Sequence, residues 1–529
     1  MKPAIANFAW LAACLPEHAR FQASLRHVDK TQSSVLGRIL RRNKNTEFGQ
    51  RYGFSSIRST DDFRKRVPLG DYESHSPFIQ RAAGGAPDVL TKEPIRLFEP
   101  TGGSSGSPKL IPYTRSLQRE FQRGIAVWIA DLFLHEPGLM GGKAFWSVSP
   151  IVNQKEKTSG GIPIGFDDDL AYAGSWQRSV LQSTMAVPEE LRRTDDLEVF
   201  RYRTLLYLLR SRDLTLISIW HPSYLTLLLD GLPGWCDRLS LDIDRGTLSS
   251  SDPRRAKEVR DALKASTPQG RYRLLWPNLR LISCWKDANA AGPAAALQRL
   301  FPGVLVQGKG LLATEAFMSL PLLGHTGAVL SARSHFFEFL PDAGGSALLA
   351  HQLEVGGRYG IVVTTGSGLY RYQMGDRIEV TGFIRQCPLI RFIGRNAAVS
   401  DWVGEKLTEA HVSLVLQASF QALGVSPVFA MLACESAPGH HYVLFLESAE
   451  SDEVVSRAVR AIEAGLRSNF HYDYARRLGQ LGPLAVVRLR NAAKKFEQQA
   501  IRLGQKAGDI KPQALDRRKG WAEVLVGEN

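Results

Sequence analysis

The residues with the clearest chemical potential lie between positions 101 and 109, which read TGGSSGSPK. Glycines let consecutive backbone amides turn towards one centre and form an anion-binding nest. Hydroxyl groups can donate hydrogen bonds to phosphate oxygens, and a lysine adds a positive charge. The stretch therefore predicts a holder for a triphosphate, and its candidate nucleotide contacts are Thr101, Ser104, Ser105, Gly106 and Lys109.

Other chemistries share part of this spelling. Residues 102–106 satisfy the G-x-S-x-G pattern of a serine hydrolase, but that site needs its serine on a tight turn leading directly into a helix. Pro108 and Pro112 keep the following chain extended, so the sequence predicts against a hydrolase. The Walker pattern fails because Pro108 precedes Lys109 and Leu110 follows it. A flexible surface loop is the remaining alternative, although it predicts no fixed Pro-Lys ending.

Alternating strands and helices must position this loop. A short apolar strand precedes it, and apolar residues from Leu117 to Leu132 at helical spacing follow it. Further along, LTLISIW (214–220), LRLISCW (279–285) and VLVQGKGLL (304–312) are strand-like runs between helical segments. This alternation predicts a largely parallel α/β sheet.

The predicted secondary structure differs between the other parts of the chain. Residues 1–65 are predicted to be helical, with a turn near residues 45–52. Short strands punctuated by paired glycines from 327 to 392 predict an antiparallel sheet or barrel. The last part predicts a mixed unit, with strands near 427–434 and 441–447 and a helix near 452–468.

A chain of 529 residues exceeds what one hydrophobic core supports, so at least two domains are expected. The predicted fold class is α/β. Residues 1–395 are predicted to form a large N-terminal domain with mainly parallel sheets and a β-barrel-like subdomain. Residues 396–529 are predicted to form a smaller α+β C-terminal domain.

Composition limits the class of partner. The net charge of +14 predicts attraction to anions, and a basic nucleic-acid- or membrane-surface-binding protein is kept as an alternative. Zinc-finger, KH and RNP spellings are missing, and no apolar run approaches a membrane span, so neither partner is predicted. Five scattered cysteines with no C-x-x-C pair predict a reducing, cytoplasmic location. A monomer is expected.

Several motifs in order carry a resemblance to a known family. The 101–109 stretch resembles the phosphate-binding motif of the acyl-adenylate-forming, firefly luciferase-like superfamily. More closely, the chain resembles the auxin-responsive acyl acid-amido synthetases, the Gretchen Hagen family, in their bacterial form. The resemblance spans nearly the whole chain and is carried by ANFAWLAACLPEHARF, RRNKNTEFGQRYGF, FEPTGGSSGSPKLIPYT, ATEAF, LYRYQMGDRIEVTGF and RFIGRNAAVSDWVGEKLTE.

The resemblance implies ATP and Mg²⁺ as cofactors, binding of ATP and the acyl acid by residues 1–395, and a mobile domain at residues 396–529. It also assigns further residues. Thr314 and Glu315 match the pair that contacts the α-phosphate and the magnesium ion, and a carboxylate is a hard oxygen ligand of the kind Mg²⁺ prefers. Asp376 falls at the ribose-binding aspartate, Arg395 at the domain-junction arginine, and Lys406 is placed to approach the phosphate. Taken alone, Thr314-Glu315 is a plausible helix start and Asp376 a turn aspartate. Leu311-Leu312 replace the usual tyrosine, which puts the adenine contact in doubt.

The resemblance also implies a catalytic lysine from the C-terminal domain. Lys511 is preferred because its Lys-Pro pairing follows a predicted turn at Gly508-Asp509, and Lys506 is the alternative. The predicted acyl pocket follows buried strands at their carboxyl ends, where open α/β sheets bind ligands. Its candidates are Trp220, His221, Tyr224, Trp285 and Phe317, and core packing is the commoner fate of such side chains.

These observations predict a two-step ligase. It adenylates a carboxylic acid with ATP and passes the acyl group to an amine, with an amino acid as the expected acceptor. The alternative enzyme is an acyl-CoA synthetase, which shares the first step and differs in the acceptor.

Overall fold

A computed structural model describes residues 2–101, 109–147, 157–165, 182–194, 196–395, 399–400, 402–436, 439–503, 505, 510, 512–518 and 520–526. The chain divides into two compact units. Unit 1 comprises Met1–Pro137, Asn153–Ser183 and Lys309–Phe392. Unit 2 comprises Gly138–Val152, Thr184–Gly308 and Ile393–Asn529. The predicted domain boundary after residue 395 stays a prediction.

The first part of unit 1 is helical, as predicted. Its helices are α1 (Pro3–Ser24), α2 (Val28–Asn43), α3 (Glu47–Arg51), α4 (Thr60–Arg66), α5 (Tyr72–Ala83) and α6 (Arg115–His135). The turn predicted near residues 45–52 is wrong, because α3 occupies most of it. Thr46 caps that helix by accepting a hydrogen bond from the Gly49 amide, so a local side-chain cap produces a short helix there.

Strands β1 (Leu97–Thr101) and β2 (Lys109–Tyr113) pair antiparallel just before α6. Apolar residues of α6 face inwards, including Leu117, Phe121 and Leu132, which confirms the predicted helix.

Unit 2 contains the parallel sheet. Its strands are β3 (Lys143–Trp146), β4 (Leu214–Ser218), β5 (Leu281–Cys284) and β6 (Leu305–Gly308), in that order and all parallel. The accompanying helices are α7 (Leu197–Arg210), α8 (Pro222–Leu229), α9 (Leu232–Arg245), α10 (Pro253–Leu263), α11 (Pro268–Leu275) and α12 (Ala291–Leu300). Both β4 and β5 are buried along their whole length, which explains their continuous apolar sequences.

Unit 1 continues with a seven-stranded sheet. Its strands are β7 (Ser319–Pro321), β8 (Ala328–Leu330), β9 (Phe336–Pro341), β10 (Leu348–Leu349), β11 (Arg358–Thr364), β12 (Tyr372–Ile384) and β13 (Cys387–Arg395). The spatial order is β10-β9-β11-β12-β13-β8-β7, with antiparallel pairing. The predicted antiparallel region is confirmed.

The last part of unit 2 is a mixed sheet with helices. Its strands are β14 (Val399–Ser400), β15 (Leu407–Thr408), β16 (Phe429–Glu435), β17 (His441–Glu447), β18 (Ala485–Arg488) and β19 (Leu515–Asp516). Its helices are α13 (Glu409–Ala422), α14 (Asp452–Leu466), α15 (Phe470–Arg477), α16 (Ala492–Arg502) and α17 (Trp521–Val526). The main sheet has the order β18-β17-β16-β19. The predicted strands and helix of this region are confirmed.

Across the described part of the chain, no helix combines the length and apolarity that a membrane crossing requires.

Candidate active site

The glycine-rich stretch joins the two strands of a hairpin in unit 1. Thr101 at the end of β1 pairs with Lys109 at the start of β2. Ser104, Ser105 and Gly106 lie outside the described residues, as does the Thr101 side chain. Strand β2 separates this stretch from α6, so the chain after the serines is extended, as the two prolines predicted. This geometry is not that of a serine hydrolase, whose serine passes directly into a helix.

Lys109, the first residue of β2 after the loop, contacts an aromatic side chain. Its Nζ lies 5.4 Å from the centre of the Tyr72 ring, a cation–π contact. The Tyr72 hydroxyl accepts a hydrogen bond of 2.9 Å from the Leu110 amide, and burial raises the pKa of this hydroxyl. Tyr72 therefore contacts both the ammonium of Lys109 and the backbone of the next residue of β2.

Thr314 and Glu315 occupy the centre of a tight turn. The backbones of Ala313 and Ala316 exchange two hydrogen bonds, of 3.0 and 3.3 Å, and Leu312 pairs with Phe317. These bonds close a β-hairpin turn, so the helix start considered from the sequence is not present here. Glu315 is only 8% exposed. The turn therefore holds a carboxylate in a fixed, largely buried position.

Asp376 lies in strand β12 at an irregularity of the ladder. Gly360 pairs with Arg377 and Val362 pairs with Gln373, so three residues of β12 lie opposite Ile361. Gly375 adopts a φ of 74°, which this bulge requires and a glycine accommodates without strain. Asp376 follows it and is 1% exposed. The aspartate thus belongs to a strand bulge, which changes the direction of a side chain relative to a regular strand.

Helix α6 supports the segments around these residues. Its capping residue Thr114 donates a hydrogen bond of 3.1 Å to the Gly366 carbonyl, which lies in the turn between β11 and β12. Glu120 accepts a hydrogen bond of 3.0 Å from the Gly366 amide. The ring of Phe317 packs edge-on against Phe121, with ring centres 5.9 Å apart. Phe317 is 3% exposed, so its surroundings here are those of a core residue.

Arg371 in the LYRY sequence makes a buried ion pair. Its Nε and Nη2 each donate to the Glu338 carboxylate at 2.9 Å, and its Nη1 donates to the backbone carbonyls of Arg64 and Val67. Arg64 also donates to Glu338, at 2.9 Å. The arginine therefore fixes the start of β12, the strand that carries Asp376.

The other predicted pocket residues lie in unit 2. Trp220 follows β4 and Trp285 follows β5, with ring centres 5.6 Å apart, and the His221 ring is 6.3 Å from that of Trp285. These three side chains meet at the carboxyl ends of parallel strands, as expected. Tyr224 instead lies in the hydrophobic core of unit 2, where burial raises the pKa of its hydroxyl.

The remaining predicted residues are placed only in part. Arg395 ends β13, and its side chain is outside the described set. Lys406 is exposed, has a φ of 45°, and its carbonyl accepts a hydrogen bond from the Asn469 side chain. Lys506 and Lys511 lie outside the described residues. The catalytic role predicted for Lys511 therefore stays a prediction.

Comparison of folds gives the class of protein. The AtGH3.15 acyl acid amido synthetase, solved in complex with 2,4-DB, superposes with a TM-score of 0.84 at 22% sequence identity, covering 98% of this chain and 96% of that one. A second structure of the GH3.15 acyl acid amido synthetase gives a TM-score of 0.83 at 22% identity, over 97% and 96% of the two chains. The chain therefore has the fold of an acyl acid amido synthetase.

Family models then identify the chain. The GH3 family N-terminal domain matches residues 17–306, the central domain residues 328–395 and the C-terminal domain residues 410–519. The protein belongs to the GH3 family, and the predicted Gretchen Hagen relationship is confirmed. It is accordingly an ATP-using ligase that activates a carboxylic acid as its adenylate and forms an amide. Its assignment to a bacterial form stays a prediction.

Similar plant proteins agree over most of the chain. The indole-3-acetic acid-amido synthetase GH3.4 of Arabidopsis thaliana is 26% identical over 522 residues, covering 89% of this chain and 86% of that protein. The indole-3-acetic acid-amido synthetase GH3.8 of Oryza sativa subsp. indica is 25% identical over 460 residues, covering 80% and 76%.

Sequence reasoning missed the charged groups that support the site. Glu120, His335, Glu338 and Arg371 are buried and connect segments far apart in the chain. Of these residues, only Arg371 lies in one of the family motifs given above, so it alone could have been suspected from the sequence. Nothing local marks Glu120 or His335, because each meets its partners only after folding.

Proposed function

We propose that Mg-ATP binds in unit 1, where the β1–β2 hairpin, the Thr314-Glu315 turn and the β12 bulge present their polar groups. The observation that carries this proposal is the buried Glu315 carboxylate at the centre of a hydrogen-bonded turn, in a chain that family models match over residues 17–306, 328–395 and 410–519. Lys109 supplies positive charge near the triphosphate, and Asp376 accepts hydrogen bonds from the ribose hydroxyls.

The residues present fit a magnesium ion that arrives with the nucleotide. Among the described residues, no group of three or more His, Cys, Asp or Glu side chains could hold a metal on its own. Glu315 offers one hard oxygen ligand, and Mg²⁺ commonly takes one or two carboxylates together with substrate phosphates and water. When bound, the ion supplies neutralisation of phosphate charge.

The reaction then has two steps. A carboxylate oxygen of the acid attacks the α-phosphorus of ATP, the bond to the β-phosphate oxygen breaks, and pyrophosphate leaves. An amine nitrogen next attacks the acyl carbonyl, AMP leaves, and the nitrogen loses a proton. We propose an amino acid as this amine. Lys511 of the C-terminal region neutralises phosphate charge in the first step.

We propose that the acyl group of the acid lies against Trp220, His221 and Trp285. Their rings are close together at the carboxyl ends of β4 and β5, where open α/β sheets bind ligands. A planar aromatic acid suits such a surface because aromatic rings stack favourably in offset or edge-on arrangements. Phe317 and Tyr224 are retained as secondary candidates.

The first test is carboxylate-dependent exchange between ATP and pyrophosphate, over a panel of aromatic, fatty and plant-hormone acids without any amine. Exchange with an acid names the acyl class. Adding amino acids or coenzyme A separately then distinguishes an amide product from a thioester. If no acid of the panel supports ATP–pyrophosphate exchange and no ATP binding can be measured, the proposal is wrong.

Glu315→Gln should lower the exchange rate by about 100-fold, on the scale of other groups that stabilise transition-state charge. Glu354→Gln is the matched control, because Glu354 is an exposed glutamate of the same unit. Equal rates in the two variants would contradict the role of Glu315. For the lysine, Lys511→Ala should slow exchange more than it weakens ATP binding, and Lys506→Ala should do neither.

We infer that the chain is cytoplasmic, since its five cysteines are free and four of them are buried. We also propose that it is a monomer. Light scattering after gel filtration tests the oligomeric state.

A further inference from the structure

Two buried ionisable side chains lie behind the Thr314-Glu315 turn and have no place in the chemistry described so far. Glu120 in α6 is 3% exposed, and His335, just before β9, is fully buried. Nδ1 of His335 lies 3.0 Å from Oε2 of Glu120. Charged or polar groups that are buried this deeply cost stability unless specific partners compensate them.

The histidine connects directly to the turn. The Phe317 amide donates a hydrogen bond of 3.0 Å to Nε2 of His335. A ring nitrogen that accepts from an amide carries no proton, so the imidazole proton is on Nδ1, which faces the Glu120 carboxylate. Phe317 follows Glu315 by two residues and closes the same hairpin. One hydrogen bond thus couples the orientation of the His335 ring to the backbone of the turn.

The backbone of His335 is itself held in place. Gln32 of α2 is buried and donates a hydrogen bond of 2.8 Å to the His335 carbonyl. The same side chain accepts a bond of 2.7 Å from the Phe337 amide. Ser334 donates a bond of 2.8 Å to the Glu120 carbonyl. The imidazole therefore projects from a backbone with little freedom.

Glu120 connects to the second segment of the site. It accepts the 3.0 Å hydrogen bond from the Gly366 amide, in the turn that leads towards β12. A Cβ atom at position 366 would lie 2.5 Å from Oε1 of Glu120, so this close approach needs glycine. The positive charges of Arg38 and Arg123 act on Glu120 and offset the burial of its negative charge.

We propose that Glu120 and His335 are positioning residues that hold the Thr314-Glu315 turn and the Gly366 turn in register for the nucleotide. Their polar atoms meet the backbone amides of Phe317 and Gly366, so both side chains act through these amides. The consequence for the nucleotide rests on the proposed function, whereas the consequence for the turn does not.

The test compares His335→Phe, which removes the acceptor, with His335→Gln, whose amide can still accept from Phe317 and donate to Glu120. Hydrogen–deuterium exchange of the nucleotide-free chain reports on a peptide covering residues 311–319. His335→Phe should speed that exchange by about tenfold or more, since it leaves a buried amide without a partner. His335→Gln should restore most of the protection. His351→Phe is the matched control at an exposed histidine of unit 1.

Calorimetric titration with Mg-ATP gives the second readout. His335→Phe should weaken Mg-ATP binding about tenfold while the KM for the acid changes little. Unchanged exchange of residues 311–319 in His335→Phe would overturn the proposal. So would a uniform acceleration over all of unit 1 that His335→Gln shares, because that pattern indicates general destabilisation.

Glu120→Leu keeps the test decisive where His335→Phe does not fold, because it removes Oε2, the oxygen that accepts from the Gly366 amide and lies 3.0 Å from Nδ1 of His335. It should speed exchange in both the 311–319 peptide and a peptide covering residues 364–370, and no change in either would refute the pairing. Failure of the unchanged chain to bind Mg-ATP would contradict the proposed function alone, since the exchange comparison contains no nucleotide.

Discussion

Replacing Arg371 with methionine should destabilise the start of β12 by about 3 kcal/mol. The variant removes the cation and all four donors that reach Glu338 and the carbonyls of Arg64 and Val67. Methionine fills much of the same volume, so the loss reports on charge and hydrogen bonding more than on packing.

The magnitude follows from what remains around Glu338. Removing one partner of a buried ion pair typically costs 3–5 kcal/mol, because the other charge is left buried without compensation. Glu338 is 1% exposed, but Arg64 still donates to it at 2.9 Å, which places the cost at the lower end of that range. Arg371→Lys should also destabilise, because an ammonium cannot reproduce the two parallel bonds of a guanidinium.

Hydrogen–deuterium exchange is the appropriate assay, because a chain of two compact units has no single free energy of unfolding. A loss of about 3 kcal/mol corresponds to roughly 100-fold faster exchange at residues 336–341 and 369–377, where protection depends on local opening. Arg358→Met is the control, because Arg358 is about half exposed and forms an ion pair in the same sheet, with its Nε 3.6 Å from Oε2 of Glu379. It should change exchange less than fivefold, as exposed ion pairs contribute at most about 1 kcal/mol. Acceleration below fivefold in Arg371→Met would refute the reasoning.

Three further predictions concern other buried groups. Arg201→Met should lower the stability of unit 2 by about 3–5 kcal/mol, since Glu497 in α16 is left buried without its cation, and hydrogen–deuterium exchange of α16 with and without a compensating Glu497→Leu checks this. Tyr442→Phe should cost about 1.5–3 kcal/mol, because its hydroxyl donates a 2.6 Å hydrogen bond to the buried Glu405 carboxylate, and faster hydrogen–deuterium exchange of strand β17 measures the loss. Burial raises the pKa of Asp131 above 3.8, so folding favours its protonated form. The stability of α6 in the unchanged chain should therefore fall relative to Asp131→Asn as pH rises from about 3.8 through the raised pKa; an opposite trend in paired hydrogen–deuterium exchange of α6 would contradict this sign.

The elements of this fold were predictable because their sequences carry period and punctuation. Strands β4 and β5 are continuous apolar runs, as buried parallel strands are, and the prolines after the glycine-rich stretch are the reason β2 is extended. Helix α3 was missed because a single threonine cap outweighed a segment rich in turn-forming residues. Short elements depend on one hydrogen bond, and such a bond leaves little trace in residue periodicity.

The sequence motifs of the candidate site could be recognised, whereas the buried side chains that hold its segments in place could not be predicted. Glu315 and Asp376 were predicted as site residues because each stands in a recognisable sequence, yet the turn and the bulge that carry them differ from the local structures their neighbours suggested. Glu120 and His335 could not be found, since an isolated glutamate on a helix and an isolated histidine before a strand are ordinary residues. Their pairing requires α6 and β9 to be packed together, which is a property of the tertiary structure.

Strand β9 connects the two buried charge systems of unit 1. Glu338 lies within it, and His335 precedes its first residue, Phe336. One system fixes the start of β12 through Arg371, and the other fixes the Phe317 and Gly366 amides. Acyl adenylation needs polar groups held in place before substrate arrives, because reorganising them during the reaction would consume the stabilisation they provide. A buried ion pair such as Arg371–Glu338 adds little net stability to a fold. Together with the contact between Glu120 and His335, it fixes the segments that carry Glu315 and Asp376.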